Sequence, residues 1–107
     1  MGIIQYSIIL VDLNRNIGSE IRKTGPCVVL SPDEMNKYLQ TVVVAPMTAR
    51  SRSCPTRISV IHNKKSGWIV LDQVMTIDRN RMIKKLGTLS DKEISKLKAV
   101  LKETYVD

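Results

Sequence analysis

Short apolar runs of strand length dominate the first two thirds of the chain, and polar segments separate them. The runs at 27–30 and 42–45 contain only apolar residues, which is typical of strands covered on both faces. A polar segment at 62–67 separates two later runs in the manner of a hairpin turn. The predicted strands are Ile8–Val11, Cys27–Leu30, Val42–Ala45, Ile58–Val60, Ile69–Leu71 and a short last strand at Leu86–Leu89.

Two helices are predicted by their capping signals, one near 32–39 and one near 90–105. Each begins with a serine that is followed three residues later by glutamate, so that the two side chains can satisfy the free N–H groups of the first turn reciprocally. We therefore expect Ser31 and Ser90 to be the capping residues. In the longer helix one stripe is apolar, and we expect the lysines on its remaining surface to face solvent rather than to contact a partner.

This succession of elements predicts a mainly β fold with α additions, built as a curled sheet or small barrel. With 107 residues, the chain is long enough for one modest core without metals or disulfides, so we expect a single domain over 1–107. Its two cysteines form no C-x-x-C pair, and we interpret both as reduced thiols.

The charge balance points to an anionic partner. The chain has 17 Lys and Arg against 10 Asp and Glu, a net charge of +7, which favours nucleic acid, acidic protein or anionic lipid as a partner.

No basic leader precedes the first apolar run, and no run approaches the ~20 apolar residues of a membrane span. We expect a soluble cytoplasmic protein that does not associate with membranes.

The residue inventory excludes several mechanisms. His62 is the only histidine, so one chain cannot build a two-histidine acid–base relay. No metalloprotease, P-loop or dinucleotide-binding motif occurs, and no carboxylate cluster suggests a two-metal phosphodiesterase. We expect no cofactor and no metal. We interpret His62 itself as an ordinary solvated residue of a polar loop.

Arginine, lysine and hydroxyl groups are what remain, concentrated in the polar segments 14–24 and 48–57. Guanidinium groups hold phosphates bidentately and stabilise the charge that develops on a phosphorane. The composition leaves two interpretations open, a phosphate-binding surface and a pair of ordinary basic loops. Aromatic residues are sparse, at 4% of the chain, which disfavours a generic single-strand binder that stacks bases.

An ordered series of segments resembles the MazF/PemK family of toxin endoribonucleases. The matching segments are Val11–Asn14, Gly18–Glu20, Lys23–Pro32, Val44–Thr48, Pro55–Arg57, Leu71–Val74 and Lys85–Leu89, followed by the capped C-terminal helix. The resemblance implies a small SH3-like barrel of the CcdB/Kid/MazF type, a homodimer, and the toxin component of a type II toxin–antitoxin system. It implies metal-independent, sequence-selective cleavage of single-stranded RNA by its 2′-OH, and an antitoxin whose acidic, partly disordered segment binds the toxin.

The resemblance also supplies a candidate site. Thr48 matches the family's catalytic threonine, and Asp72 matches an acidic residue that some PemK-type members place in the active site. Gly25 stands where the family usually has arginine, so Arg22 is predicted to be the catalytic arginine instead. The predicted RNA-binding residues are Glu20, Lys23, Thr24, Arg50, Arg52, Arg57 and Gln73.

Alternatives remain open at this stage. Thr48 also fits an ordinary strand end, Asp72 fits a turn anchor equally well, and Glu20 fits a residue that orders its loop. Gly25 and Met75 both lack the charge that the family pattern carries, which makes an inactive relative that binds RNA or antitoxin credible. A toxin of the same fold that binds a protein target and cleaves nothing, as CcdB-type toxins do, is the other alternative.

Overall fold

A computed structural model describes residues 2–13, 23–51 and 53–106 of the chain. Along these residues the chain forms seven strands, two α-helices and two 3₁₀ turns. The strands are β1 (Ser7–Asp12), β2 (Thr24–Val29), β3 (Thr41–Thr48), β4 (Arg57–His62), β5 (Lys65–Val70), β6 (Met75–Asp78) and β7 (Met82–Thr88). The α-helices are α1 (Asp33–Tyr38) and α2 (Asp91–Tyr105), and the 3₁₀ turns span Leu71–Gln73 and Arg79–Arg81.

The strands form one antiparallel sheet in the order β4-β5-β3-β2-β1-β7, and β6 pairs with β3. The sheet curls because β3 changes partners along its length. Its first half, from Thr41 to Val44, pairs with β6, whereas Met47 and Thr48 pair with β5. The mainly β fold with α additions is therefore confirmed.

Both faces of the sheet carry a hydrophobic cluster. The first cluster includes Val28 and Ala45 and is covered by α2 through Leu97, which is fully buried. The second includes Val29 and Cys27, and burial raises the pKa of the Cys27 thiol to about 11. Residues of β2 thus alternate between the two clusters, which confirms the prediction that the all-apolar runs are covered on both faces.

The two predicted caps differ in outcome. At α2 the capping box is present: the Ser90 hydroxyl accepts from the Glu93 N–H at 3.2 Å, and the Glu93 carboxylate accepts from the Ser90 N–H at 2.9 Å. At α1 the predicted cap is wrong, because Pro32 is the N-cap and makes no side-chain bond. The Ser31 hydroxyl instead donates to the Asn36 side chain at 2.5 Å and accepts from the Val43 N–H at 3.1 Å, tying α1 to β3.

Two strands differ from the sequence-based prediction: one is additional, and one begins earlier along the chain. The strand β6 was not predicted, since only Ile77 of its four residues is buried and no apolar run marks it. The last strand, β7, begins at Met82 rather than Leu86, because its exposed lysines interrupt the apolar pattern without interrupting the ladder. Among the described residues, no helix has both the length and the apolar character to cross a membrane.

Candidate functional site

Thr48 ends β3 at the point where that strand meets β5. It lies opposite Trp68 in the ladder. Its hydroxyl donates to the Arg50 carbonyl at 3.0 Å and lies 3.4 Å from the Arg50 N–H. This is a local turn in which a threonine side chain bonds to the backbone two residues later. The hydroxyl is therefore held by the loop that follows the strand.

A groove of about 400 Å³ opens beside Thr48, between the β4–β5 hairpin and the ends of β2, β3 and β7. Apolar residues form much of its lining, namely Pro26, Met47, Val60 and Leu86. The polar residues Thr48, His62, Asn63 and Lys65 also line it. A concave apolar surface with a few convergent polar groups is the usual form of a small-ligand site.

His62 lies in this groove, which corrects its interpretation as a solvated loop residue. It is the last residue of β4, opposite Lys65, and is only half exposed. The intervening turn has two residues, Asn63 and Lys64, whose φ angles of 52° and 64° are those of a tight hairpin. The sequence-based interpretation placed the whole segment 62–67 in a loop because these residues are polar. Only Asn63 and Lys64 form the turn, so the residues on either side of them belong to the strands.

The His62 ring packs directly against Gly87 of β7. A Cβ atom at Gly87 would lie 2.4 Å from the His62 Cε1, so the glycine makes room for the imidazole. The ring Nε2 lies 3.3 Å from the Asn63 side-chain nitrogen. The imidazole is thus fixed from two sides at the groove.

A second polar cluster lies at the other end of the β4–β5 hairpin. Arg57 pairs with Asp72, with 3.3 Å between Nε and Oδ1, and its Nη1 donates to the Ser51 hydroxyl at 2.7 Å. Asp72 also accepts from the Thr56 hydroxyl at 3.0 Å. The hydrogen bond from Arg57 holds the pKa of Asp72 below its usual range, and Thr56 adds to this effect, so the carboxylate stays ionised. Asp72 therefore balances the charge of Arg57.

The remaining predicted residues lie apart from the groove. Lys23, Thr24, Arg50 and Gln73 are exposed, and of all the predicted site residues that the structure describes, Thr48 alone lines the groove. Glu20, Arg22 and Arg52 lie outside the described residues. The structure thus brings together Arg57 with Asp72, and Thr48 with the unpredicted His62.

Gly25 lies in β2, opposite Val11 of β1. Its backbone is outside the left-handed region, and a Cβ there would meet only the end of the Leu13 side chain, at 2.9 Å. On its other side β2 pairs with β3, where Cys27 lies opposite Pro46. The pairing of β2 with β3 extends from Val29 to Cys27, so Gly25 lies two residues beyond the last paired position on that side.

Comparison with known proteins gives a consistent result. The family described as "PemK-like, MazF-like toxin of type II toxin-antitoxin system" matches residues 4–105. The chain is 36% identical over 96 residues to an endoribonuclease MazF of Staphylococcus saprophyticus, covering 84% of this chain and 80% of the relative.

Solved structures agree on the fold. A MazF of Deinococcus radiodurans superposes with a TM-score of 0.82 at 18% identity, covering 100% of this chain and 99% of the other. A MazE–MazF complex of the same organism matches with a TM-score of 0.83 at 20% identity, covering 96% and 95%. An endoribonuclease bound to its cognate antitoxin, from a mycobacterial species, matches with a TM-score of 0.79 at 18% identity, covering 94% and 91%. The predicted small-barrel fold class is confirmed.

Proposed function

Because this chain belongs to the PemK-like, MazF-like toxins of type II toxin–antitoxin systems, we propose that it is an endoribonuclease acting as the toxin of such a pair. The observation that carries the proposal is the 36% identity to an endoribonuclease over most of both chains. The groove beside Thr48 supports it, because it offers a hydroxyl, an imidazole and a lysine around an apolar floor. The substrate is single-stranded RNA, recognised at a short sequence.

The proposed reaction needs no metal. The ribose 2′-oxygen attacks the adjacent phosphorus, the bond from phosphorus to the 5′-oxygen breaks, and the 2′ proton is lost as the 5′-oxygen gains one. DNA lacks the nucleophile and is inert. Thr48 donates a hydrogen bond to a non-bridging oxygen as its charge develops, which requires the hydroxyl to turn away from the Arg50 carbonyl.

RNA binding outside the groove rests on the exposed cations. Arg50 and Lys23 are exposed, and Arg57 is a quarter exposed despite its pairing with Asp72. Arg22 and Arg52 are proposed to contribute on chemical grounds alone, as are the hydrogen-bonding side chains of Thr24, Gln73 and Glu20. Phosphate contacts of this kind make RNA affinity fall steeply with salt.

The proposed partners follow from charge and from the solved complexes. The Deinococcus and mycobacterial toxins were each solved with an antitoxin, and a chain with a net charge of +7 suits an acidic, partly disordered one. We also propose a homodimer, since large apolar side chains such as Ile61 and Tyr38 are 70% and 75% exposed. A monomer by light scattering at micromolar concentration would refute the dimer. The protein acts in the cytoplasm as a single domain over 1–107.

The deciding experiment is incubation of the purified protein with a long single-stranded RNA of mixed sequence in the presence of EDTA. Fixed cleavage ends are expected, mapped by primer extension. The same sequence as 2′-O-methyl RNA and as DNA provides the controls and should remain intact. Binding without cleavage of any of them would favour the inactive RNA-binding relative, which the uncharged Gly25, at the position where the family usually has arginine, specifically supports.

A further inference from the structure

Both free edges of the sheet meet at His62. The strands β4 and β7 are the two ends of the strand order, and the His62 ring on β4 packs against Gly87 on β7. One residue away, the Ile61 N–H donates to the Glu93 carboxylate of α2 at 3.0 Å. The imidazole is thus positioned by two strands and a helix at the mouth of the groove, a degree of fixation that a solvated side chain does not have.

A carboxylate stands near this ring. Burial raises the pKa of Glu93, but the N–H groups of Ser90 and Ile61 and the charge of His62 outweigh it, so the net effect lowers that pKa. Glu93 is therefore ionised and provides a countercharge for an imidazolium. The elements around the ring also carry three lysines: Lys64 in the turn, Lys65 opposite His62 on β5, and Lys85 on β7, two residues before Gly87.

We propose that His62 is a catalytic residue of this chain, contacting the RNA in the groove and donating a proton to the departing 5′-oxygen. This inference rests on the proposed endoribonuclease function. As the 2′-oxygen bonds to phosphorus and the bond to the 5′-oxygen breaks, the proton moves from the His62 ring to that oxygen. The 2′ proton passes to solvent, the RNA ends as a 2′,3′-cyclic phosphate and a 5′-hydroxyl, and water restores the ring proton.

Geometry and chemistry support this role together. Thr48 and His62 border the same groove from the two strands that flank β5: Thr48 on β3 lies opposite Trp68, and His62 on β4 lies opposite Lys65. A phosphodiester in this groove of about 400 Å³ would be bordered by both residues. An alkoxide is a poor leaving group unless it is protonated, and imidazole is the side chain whose charge changes in the physiological pH range.

The first test is His62→Gln, which keeps a hydrogen-bonding side chain but transfers no proton. Cleavage of RNA should fall by about 10²-fold or more, the usual range for a lost general acid. The native protein should lose kcat/KM with rising pH, as a general acid does when it loses its proton, and the variant should show no such decline. Affinity for 2′-O-methyl RNA of the same sequence should be unchanged. A rate that rises with pH, or a variant with native activity, would overturn the assignment.

A second test uses a substrate whose leaving group needs no proton donor. Once the cleavage site is mapped, an oligonucleotide is made with sulfur in place of the 5′-oxygen at that bond. A thiol has a pKa near 8.5, far below that of an alcohol, so it leaves without a proton donor. His62→Gln should cleave this substrate as fast as the native protein does. An equal defect on both substrates would mean that His62 has only a structural role.

Gly87→Ala tests the positioning of the ring without touching its chemistry. The added methyl group needs the space of the His62 Cε1 and should displace the imidazole, lowering cleavage in step with His62→Gln. Gly2→Ala, which has nothing within 4 Å, controls for the loss of a glycine. Melting temperatures should accompany both variants. If Gly87→Ala folds and retains full activity, the ring position has no bearing on cleavage and the proposal fails.

These experiments distinguish a failure of the proposed role of His62 from a failure of the proposed endoribonuclease function. A native protein that cleaves RNA while His62→Gln cleaves equally well leaves the endoribonuclease function standing and removes His62 from the mechanism. A native protein that cleaves no RNA removes both.

Discussion

The two ends of the β4–β5 hairpin carry polar clusters of different character. At one end, Asp72 and Arg57 neutralise each other, and Arg57 also holds Ser51. At the other end, His62 and Thr48 line an open groove of about 400 Å³ with apolar walls. The first cluster is an assembled network in which partners are already in place, and the second is a cavity with polar groups around its edge.

This difference decides which cluster suits which task. A charge pair that is already formed must be opened before either member binds a phosphate, so it holds this end of the hairpin in place more readily than it adds affinity for RNA. In the groove, the Thr48 hydroxyl has to turn from the Arg50 carbonyl toward the substrate, which breaks one neutral hydrogen bond rather than a charge pair. We therefore expect catalysis at Thr48 and His62, and we expect Asp72 to act on RNA only through Arg57.

Thr48→Ala should produce the largest change. The loss of one preorganised hydrogen bond to a transition state typically costs about 2.7–4 kcal/mol, which lowers kcat by about 10²–10³-fold. Thr48→Ser should restore most of the activity, since it keeps the hydroxyl. The comparison is measured as RNA cleavage rates of variants with unchanged circular dichroism. A folded Thr48→Ala protein with native activity would remove the groove from the mechanism.

Gly25→Arg should have a smaller effect of opposite sign. The backbone at position 25 tolerates any side chain, and the neighbouring Leu13 methyl group belongs to a side chain that can turn aside. A guanidinium at position 25, where the family usually has arginine, would stabilise charge on the phosphorane, so cleavage should rise, by about tenfold for a gain of 1.4 kcal/mol.

The matched control for this gain is Arg22→Ala in the native background. If Arg22→Ala abolishes cleavage and Gly25→Arg adds nothing, Arg22 already supplies the guanidinium. A drop in activity in Gly25→Arg without a drop in melting temperature would show that position 25 does not face the reacting phosphate.

Opposite substitutions in the charge pair sharpen the comparison further. Asp72→Asn frees Arg57, so the slope of log affinity against log salt should steepen by about 0.7 for a single strand, and adding Arg57→Ala to that variant should return the slope to the native value. Lys96→Ala, on the exposed surface of α2, should leave the slope unchanged. Cleavage by Asp72→Asn should persist. Abolished cleavage with intact binding would instead assign Asp72 a direct catalytic role.

The sequence was most informative where one local signal determines one element. The apolar runs of β2 and β3 and the capping box at Ser90 each depend on a few adjacent residues, and the structure has them as predicted. The Ser31 cap failed because a hydroxyl has several possible partners, and here a distant strand, through Val43, competed with the helix.

The site was predicted less completely than the fold. Thr48 was predicted from the family resemblance, whereas His62 was interpreted as a solvated residue because nothing in its neighbourhood along the chain signals its place in the groove. Its position depends on Gly87, 25 residues later, which meets it only because the two sheet edges approach each other. Contacts between residues so far apart in the chain are absent from local patterns, and composition does not reveal which polar groups pair, as Arg57 and Asp72 do.

Acid stability gives the smallest but most direct comparison of the two ends. Asp72 and Glu93 both have pKa values lowered in the folded protein, so each contributes stability that is complete above its ordinary pKa, near 4, and is lost as the pH falls through its folded value. Glu93 is the more buried and bonds two backbone N–H groups, one of them on the edge strand β4. Asp72 is exposed, and solvent screens its charge.

We therefore expect Glu93→Gln to melt at a lower temperature than the native protein at pH 7, with the gap closing below about pH 4 as Glu93 is protonated. Asp72→Asn should change the melting temperature little at any pH. Calorimetry from pH 3 to pH 7 measures both curves. A larger and pH-dependent gap for Asp72→Asn would mean that the Arg57 pair, and not the contact between α2 and β4, secures the hairpin. The Glu93 carboxylate accepts a hydrogen bond from the Ile61 N–H, and Ile61 is the residue before His62. Cleavage activity in Glu93→Gln should therefore fall together with this stability. Asp72→Asn should leave the groove intact.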